Sequence, residues 1–233
     1  MPDTSKEDEF VELDEKLLVI PSVALERCNE IVCEMAEISV AALKNGLNIL
    51  NKYDSSVAEK IRAAEEKADH YEDIIGTYLV KLCCHQISDS DSSEVSKLLK
   101  VIGDFERISD HSVNLLESAE ELKEKDMQFT PDAVKELKGL CDAVSDILTL
   151  SFIAFKNNDL KSAGDVEPLE QVIDELKTKL RDEHIKRLKS GNCSIEAGFV
   201  WADIITNLER TADHCSNIAE CVIDASENNI NVH

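Results

Sequence analysis

Glycine, proline and aromatic residues are scarce in this sequence, which disfavours a fold built from β-strands and tight turns. The 233 residues include 7 glycines, 4 prolines and 4% aromatic side chains. Strands are enriched in aromatic and β-branched residues, and turns are enriched in glycine and proline. Alanine, leucine, glutamate, lysine and aspartate dominate the chain instead, and most of these residues are good helix formers. We therefore predict an all-α protein.

Two further absences limit where such a protein could act. The sequence has no run of roughly eighteen apolar residues, and its first residues lack the basic and apolar regions of a secretory signal. Its formal net charge is -23, which disfavours nucleic acids and anionic lipid surfaces as direct partners because like charges repel. We expect a cytoplasmic protein without direct membrane insertion, whose favoured partners are cations and basic protein surfaces.

The 8 cysteines form no recognisable disulfide or zinc pattern. None is paired as Cys-x-x-Cys, and most occur among the apolar positions of predicted helices. In a chain expected to be cytoplasmic, this pattern is typical of small buried hydrophobic residues. We expect unpaired cysteines, and we do not expect a thiolate zinc site.

Hydrophobic periodicity predicts six long helices in two sets of three. An acidic lead-in over residues 1–21 ends in an extended segment, the first repeat spans residues 22–125, and the second spans residues 126–233. Long helices joined by short polar connections pack as antiparallel neighbours. The predicted N-terminal signals are capping boxes at Ser56 with Glu59 and at Asp91 with Glu94, and caps at Thr130 and Ser194.

The strongest signal in the sequence is an internal repeat. The pattern Glu-Arg-x-x-Asp-His-x-x-Asn-x-x-Glu begins at Glu106 and again at Glu209. The third and sixth helices match with an offset of 103, and the second and fifth match with an offset of 105. Such self-similarity indicates two copies of one structural unit. The predicted fold class is all-α, with two tandem three-helix bundles.

Glu-x-x-x-Asp pairs occupy matched positions in the two repeats. Residues four apart lie one turn apart on one helix face, so their carboxylates can share a cation, although such pairs also occur on solvated faces. Recurrence at matched positions favours a metal site. The predicted ligands are Glu65, Asp69, Glu106, Asp110, Glu170, Asp174, Glu209 and Asp213, and the candidate secondary ligands are His111, His214, Asn114 and Asn217.

The ligand atoms limit the metal without identifying it. Carboxylate oxygens favour magnesium, manganese, calcium or ferric iron, and they also bind zinc. The histidines and asparagines have alternative readings, because a histidine can pack on the flank of the helix and an asparagine can form an interhelical hydrogen bond. The two arginines of the repeated pattern, Arg107 and Arg210, are expected to pair with neighbouring acids.

One difference between the repeats concerns the fifth helix. Gly164 and Pro168 have no counterparts in the second helix. A proline inside a helix removes a backbone hydrogen bond, so a kink is predicted just before Glu170.

The repeated motif resembles the duplicated signature of the PhoU family. The likeness rests on Phe-Glu-Arg-Ile-Ser-Asp-His in the third helix and Leu-Glu-Arg-x-x-Asp-His in the sixth, and it covers residues 22–225. It implies paired three-helix bundles, metal ions or multinuclear iron or zinc clusters on the carboxylate pairs, and regulation of phosphate uptake without catalysis. The implied partners are a phosphate transporter or its ATPase and a signalling sensor kinase, and a homodimer is a further expectation.

Residues 13–18 and Pro21 also resemble the PhoU-like cytosolic domain of sodium/phosphate cotransporter-type membrane proteins. That likeness implies a chain that is associated with a membrane through a transporter. A free-standing regulator and a transporter domain are therefore both open at this point.

Two other functions are compatible with the residues alone. The first is a carboxylate-bridged dimetal hydrolase or oxidase, but no histidine has an acidic residue three positions earlier, as a ferritin-like oxidase requires, and no nucleophile and base pair stands out. The second is a metal-free helical adaptor whose acidic faces keep it in solution. A regulator that is not an enzyme remains the preferred interpretation.

Overall fold

Six helices make up the fold of this chain. The computed structural model describes residues 13–231, and residues 1–12 of the predicted lead-in lie outside this range. No β-strand occurs among residues 13–231. The helices are α1 (Pro21–Ile49), α2 (Ser55–Cys83), α3 (Asp89–Glu124), α4 (Pro131–Asn157), α5 (Leu160–Lys189) and α6 (Ile195–Asn231). The prediction of an all-α fold with three long helices in each half is confirmed.

The N-termini of α2 and α3 differ from the predicted caps. The Asp54 carboxylate accepts a hydrogen bond from the Ser56 backbone N–H at 2.8 Å, and Ser88 and Asp91 form a reciprocal capping box before α3. The predicted boxes that begin at Ser56 and Asp91 are therefore wrong, since both residues lie inside the first turn. Several adjacent polar residues can serve as a cap at each of these places, and the sequence does not rank them.

The helix boundaries of the second repeat agree better with their signals. The Thr130 hydroxyl accepts from the Ala133 N–H at 3.3 Å, and the Ser194 hydroxyl accepts from the Ala197 N–H at 3.1 Å. Gly191, which follows α5, has a φ of 70°, a left-handed conformation that glycine adopts without strain. The predicted caps at Thr130 and Ser194 are thus confirmed.

The segment before α1 was predicted to be extended, but it forms a 3-10 helix at Glu15–Val19. The Asp14 carboxylate accepts from the Lys16 N–H at 2.9 Å, and the Tyr78 hydroxyl donates to the Asp14 carbonyl at 3.0 Å. Leu18 is buried on this turn. The turn is held by α1 and α2, and such tertiary contacts leave no periodic signal in so short a segment.

The two repeats share one hydrophobic core. The three helices of each repeat pack on one another, and the repeats meet mainly where α3 packs along α6, with a smaller contact between α1 and α4. Buried side chains from both repeats belong to one continuous cluster. Phe105 of α3 meets Phe155 of α4 edge to face, with ring centroids 5.5 Å apart. Core packing therefore fixes the position of one repeat against the other.

Pro168 lies inside α5, yet the helix runs from Leu160 to Lys189 without interruption. A proline ring inside a helix crowds the backbone carbonyl four residues earlier. Here that carbonyl belongs to Gly164, and no other atoms lie within 4 Å of the place where a Cβ atom would stand on this residue. Glu170 and Asp174 follow the proline at helical spacing and still share one face of α5.

The expectations about membranes and cysteines can be compared with the same coordinates. Within residues 13–231 none of the helices has the combination of length and apolarity that crossing a bilayer requires. The cysteines are all unpaired, as predicted. Burial raises the pKa of the Cys28, Cys141 and Cys215 thiols to about 12, which keeps them protonated. Three of the eight cysteines are buried, three are partly buried, and Cys83 and Cys84 are exposed, so the expectation of small buried side chains holds for only part of the set.

Candidate metal centres

The second repeat brings three of its predicted ligands together. Carboxylate oxygens of Glu170, Asp174 and Asp213 lie within 4.8 Å of one another. Glu170 and Asp174 stand one turn apart on α5, and Asp213 faces them from α6. Oxygens that share one hard divalent metal at bond lengths of about 2.0–2.6 Å lie no more than about 5 Å apart, so this separation is compatible with one shared cation. We call these three residues, with Glu209, the second cluster.

A lysine already contacts the fourth predicted ligand of the second cluster. The Lys177 ammonium lies 2.5 Å from a Glu209 carboxylate oxygen, and both side chains are largely buried. Lys177 follows Asp174 by three residues on α5, so it shares the face of the predicted ligands. Its ammonium group is a resident positive charge in the second cluster. The sequence analysis did not identify this residue, although its helical spacing could have done so.

The corresponding acids of the first repeat face one another across α2 and α3. Burial raises the pKa of Glu65, and repulsion from Asp110 and Asp69 raises it further. Burial, followed by repulsion from Asp110, raises the pKa of Glu106 to about 7. Among residues 13–231 only the second repeat brings three ligand oxygens within 4.8 Å of one another, so Glu65, Asp69, Glu106 and Asp110 lie near one another without converging as closely. We call them the first cluster.

Glu72 adds a further carboxylate to the first cluster. With the offset of 105, Glu72 stands at the position that Lys177 occupies in the second repeat. Burial raises its pKa, and repulsion from Asp73 and Asp69 adds to this effect. The first repeat therefore supplies a carboxylate where the second supplies an ammonium. The sequence analysis missed Glu72 because it does not belong to a Glu-x-x-x-Asp pair.

Arg107 pairs with two acids of the first cluster from its solvent side. Its guanidinium lies 3.0 Å from an Asp110 oxygen and 3.4 Å from a Glu106 oxygen. This confirms the prediction that Arg107 pairs with neighbouring acids. The Arg107 side chain is 61% exposed, so it can turn into solvent without unpacking the core when another cation takes its place.

The histidines and asparagines of the repeated motif meet where α3 and α6 cross. The two imidazole rings have centroids 5.5 Å apart. Each histidine and its asparagine donate to one acceptor on the opposite helix, at 2.8 to 3.1 Å. The acceptors are Asn207, for His111 and Asn114, and Asp104, for His214 and Asn217. These candidate secondary ligands thus use their ring Nδ1 and amide groups to join the two repeats.

Asp104 and Asn207 are further residues that the sequence analysis missed. They correspond to each other with the offset of 103, and each stands seven residues before a histidine of the repeated motif. A separation of seven residues is about two helical turns, so both acceptors share a face with the histidines that follow them. Burial lowers the pKa of His111, which keeps this ring neutral in the contact.

Both clusters open onto one groove of about 900 Å³ along the crossing of α3 and α6. Asp110 reaches it from the first cluster, and Glu170 and Asp213 reach it from the second. Arg107 and Arg210 line the same groove. The crossing therefore presents the acids of both repeats to solvent on one side of the molecule.

A sequence profile described as the PhoU domain matches residues 32–119 and 137–222. The chain is 35% identical over 126 residues to the phosphate-specific transport system accessory protein PhoU homolog 1 of Thermotoga maritima, a match that covers 54% of this chain and 53% of that protein. It is 26% identical over 192 residues to the phosphate-specific transport system accessory protein PhoU homolog of Xylella fastidiosa strain Temecula1, with 82% and 79% covered.

Solved structures are similar to the whole fold. The crystal structure of PhoU from Pseudomonas aeruginosa has a TM-score of 0.83 at 22% identity and covers 89% of this chain and 99% of that one. The phosphate transport system regulatory protein PhoU from Streptococcus pneumoniae has a TM-score of 0.77 at 22% identity, with 88% and 96% covered. At this level of identity the likeness shows the fold, with its six-helix topology.

Proposed function

This chain belongs to the PhoU family, and from that premise we propose that it is a metal-dependent accessory regulator of a phosphate transport system. The curated relatives are named as accessory proteins of such systems. The observation that carries the proposal is the pair of carboxylate clusters at matched positions, both open to one groove. A duplicated scaffold that holds acids near one another at matched positions in each copy would be stabilised by cations at both places.

The donor set fits the proposed ions. In the first cluster Glu65, Asp69, Glu106 and Asp110 would hold the metal, and in the second the three acids that converge between α5 and α6 would do so. All of these ligands are carboxylate oxygens, which suits magnesium, manganese, calcium or ferric iron and admits zinc. Iron and zinc are the ions that the family resemblance implies. When bound, such ions would supply positive charge on an otherwise acidic groove.

The charge of the chain supports a docking role. Cytosolic loops of membrane transporters carry an excess of lysine and arginine, and a partner with a net charge of -23 complements them. We therefore propose that the protein acts on the cytoplasmic side of the membrane and docks on a phosphate transporter or its ATPase and on a sensor kinase. Arg107 pairs with two acids of the first cluster at the groove, so recognition and metal binding would be linked at the same surface.

Docking is expected to depend on metal. Immobilised protein loaded with manganese should bind the purified phosphate transporter of its organism, and chelation should weaken that binding by at least about tenfold. A variant with both Asp110→Asn and Asp213→Asn should bind weakly in either condition. Interferometry measures this, and the charge-matched control carries both Asp203→Asn and Asp182→Asn, which remove two exposed carboxylates outside the clusters. Binding that ignores both the chelator and the double variant would refute the proposal.

Metal affinity of the first cluster is expected to depend on pH through Glu106. A metal must displace the proton from this carboxyl, whose pKa is raised to about 7 by burial and by Asp110. Affinity for Mg²⁺ should rise about tenfold per pH unit below 7 and level off above it. Titration calorimetry at several pH values measures the slope.

The metal-free protein should show the opposite trend in stability. The pKa of Glu106 is higher in the folded chain than its ordinary value of 4.5. Its contribution to stability is therefore full below that value and is lost as the pH rises through about 7. The Glu106→Gln variant is the control, because it should flatten both profiles. A wild-type affinity that stays constant between pH 6 and 8 would contradict this assignment.

A further inference from the structure

We propose that one end of the second repeat docks on anionic bilayer surfaces. This end consists of the C-terminal half of α5 and the first turns of α6. Its defining residues are Lys179, Arg181, Lys189, Ile195 and Phe199, and we call it the basic tip. This surface goes beyond the regulatory role proposed above, and its binding does not require metal.

The basic tip concentrates positive charge in an acidic chain. Residues 177–189 contain six lysines and arginines and two acids, whereas the whole chain carries a net charge of -23. Lys177, Lys186 and Arg187 pair with glutamates. Lys179, Arg181 and Lys189 are exposed and form no ion pair within the described part of the chain. Arg181 and Lys189 are thus available to an external partner, whereas Lys179 lines a cleft with Asp132, Glu136 and Glu183 and its charge acts on Glu183.

Stabilisation of the helix explains only part of this charge. Basic residues in the last turn of a helix interact favourably with its dipole, which accounts for Lys186 and Lys189. Arg181 lies roughly two turns before the end of α5 and Lys179 lies further back, where the effect of the dipole has faded. Neither side chain contributes to the core, since both are exposed. Both side chains are therefore accessible to a partner outside the chain.

Exposed apolar side chains adjoin the basic half of α5. Ile195 is 73% exposed and Phe199 is 69% exposed, and they stand one turn apart on the same face of α6. Gly198 is the point of close approach between the two helices, because a Cβ atom there would lie 2.9 Å from the His184 Nε2 and 3.5 Å from Leu188. Phe199 directly follows this contact and is therefore held beside α5.

The first repeat lacks such a surface on the same scaffold. The apolar side chains that the second repeat exposes on α6 correspond to serines on α3 of the first repeat. The basic residues on α5 correspond to uncharged residues on α2. The equivalent residues are Ser92 for Ile195, Ser96 for Phe199, Ile74 for Lys179 and Gly76 for Arg181. Because both repeats fold alike, the fold itself does not require a basic and apolar tip.

A bilayer surface matches this combination better than a protein pocket does. Phenylalanine and isoleucine can enter the boundary between headgroups and acyl chains, while lysine and arginine beside them contact anionic headgroups. The bilayer interface accepts such groups without a preformed pocket. The overall negative charge of the chain repels the same membrane, so the molecule must approach with this end first, and binding should be weakened by salt.

Vesicle sedimentation tests the proposal on the full chain in the presence of a chelator. We expect binding to phosphatidylcholine vesicles that contain roughly one third phosphatidylglycerol, and little binding to phosphatidylcholine alone. Replacing Lys179, Arg181 and Lys189 with glutamine should weaken binding by about fivefold per charge removed. Ile195→Ser with Phe199→Ser, which installs the residues of the first repeat, should weaken binding about tenfold or more.

Matched controls separate the basic tip from total charge. Glutamine at Lys16, Lys100 and Lys161 removes three exposed charges at the opposite end of the helices and should leave binding unchanged. In Phe199→Trp, brominated phosphatidylglycerol should quench the new indole, since Trp201 is buried. Absence of binding to anionic vesicles, equal loss in the control variant, or an unquenched tryptophan would each overturn the proposal. Capture by an acidic protein with none by vesicles would also overturn it.

Discussion

Replacing Asp213 with asparagine is expected to lower the affinity of the second cluster for Mn²⁺ by at least about 100-fold. Asp213 is the α6 member of the three converging acids, and without its charge only Glu170 and Asp174 remain in that group, because the Glu209 carboxylate is paired with Lys177. Burial raises the pKa of Asp213, and repulsion from Glu209 raises it further. The charged carboxylate is therefore disfavoured, and a nearby cation would stabilise it. Asparagine keeps the shape of the side chain but removes its negative charge and one of its two ligand oxygens.

Calorimetric titration of chelator-stripped protein measures this loss as the disappearance of one binding class. The class that belongs to the first cluster should persist with its affinity nearly unchanged. Asp203→Asn is the matched control, because it removes one exposed carboxylate from the same helix and should leave both classes intact. If the Asp213 variant keeps two classes at wild-type affinity, the assignment of the second cluster as a metal centre is wrong.

Replacing Phe105 with alanine is expected to lower the free energy of unfolding by about 4 kcal/mol. The Phe105 side chain is fully buried and packs edge to face on Phe155 of the other repeat. The substitution therefore removes aromatic contact from the junction of the two halves and leaves a cavity. Because the core is continuous across this junction, we expect a single unfolding transition at lower denaturant concentration.

Urea denaturation followed by circular dichroism measures that change. Phe199→Ala is the control, since this ring is 69% exposed and its loss should alter stability by less than about 0.5 kcal/mol. Two separate transitions in the Phe105 variant would show that the repeats are more independent than their shared core indicates. A loss below about 1 kcal/mol would show that the junction can close around the missing ring.

Much of this fold could be predicted from the sequence because its signals are local or repeated. The predicted cap at Thr130 agrees with the structure, in which α4 begins at Pro131. The duplication predicts three long helices in each half independently of any cap. Local signals failed where several polar residues compete, as at Asp54 and Ser88, and where tertiary contacts alone hold a turn, as at Glu15–Val19.

The candidate site was predictable only along single helices. The spacing of Glu170 and Asp174 follows from the helical repeat, whereas the approach of Asp213 depends on how α5 and α6 pack. Cross-helix partners such as Asp104 and Lys177 depend on helix rotation, which periodicity does not fix. Comparison of the two repeats can identify such residues, because Lys177 aligns with Glu72 and the two side chains carry opposite charges. Such a difference marks a position where duplicated halves have diverged in chemistry.

The ammonium group beside Glu209 makes the two halves of this molecule unequal in their response to a rising ion concentration. In the first half, an incoming ion meets five carboxylates and a solvent-exposed guanidinium that can turn aside. In the second half, it meets Glu209, whose carboxylate already has the Lys177 ammonium at 2.5 Å. For a protein that works by ion loading, the halves would then saturate at different concentrations. Under the proposed metal-dependent function, duplication followed by one exchange of sign would yield a protein with two loading thresholds and a half-loaded state between them.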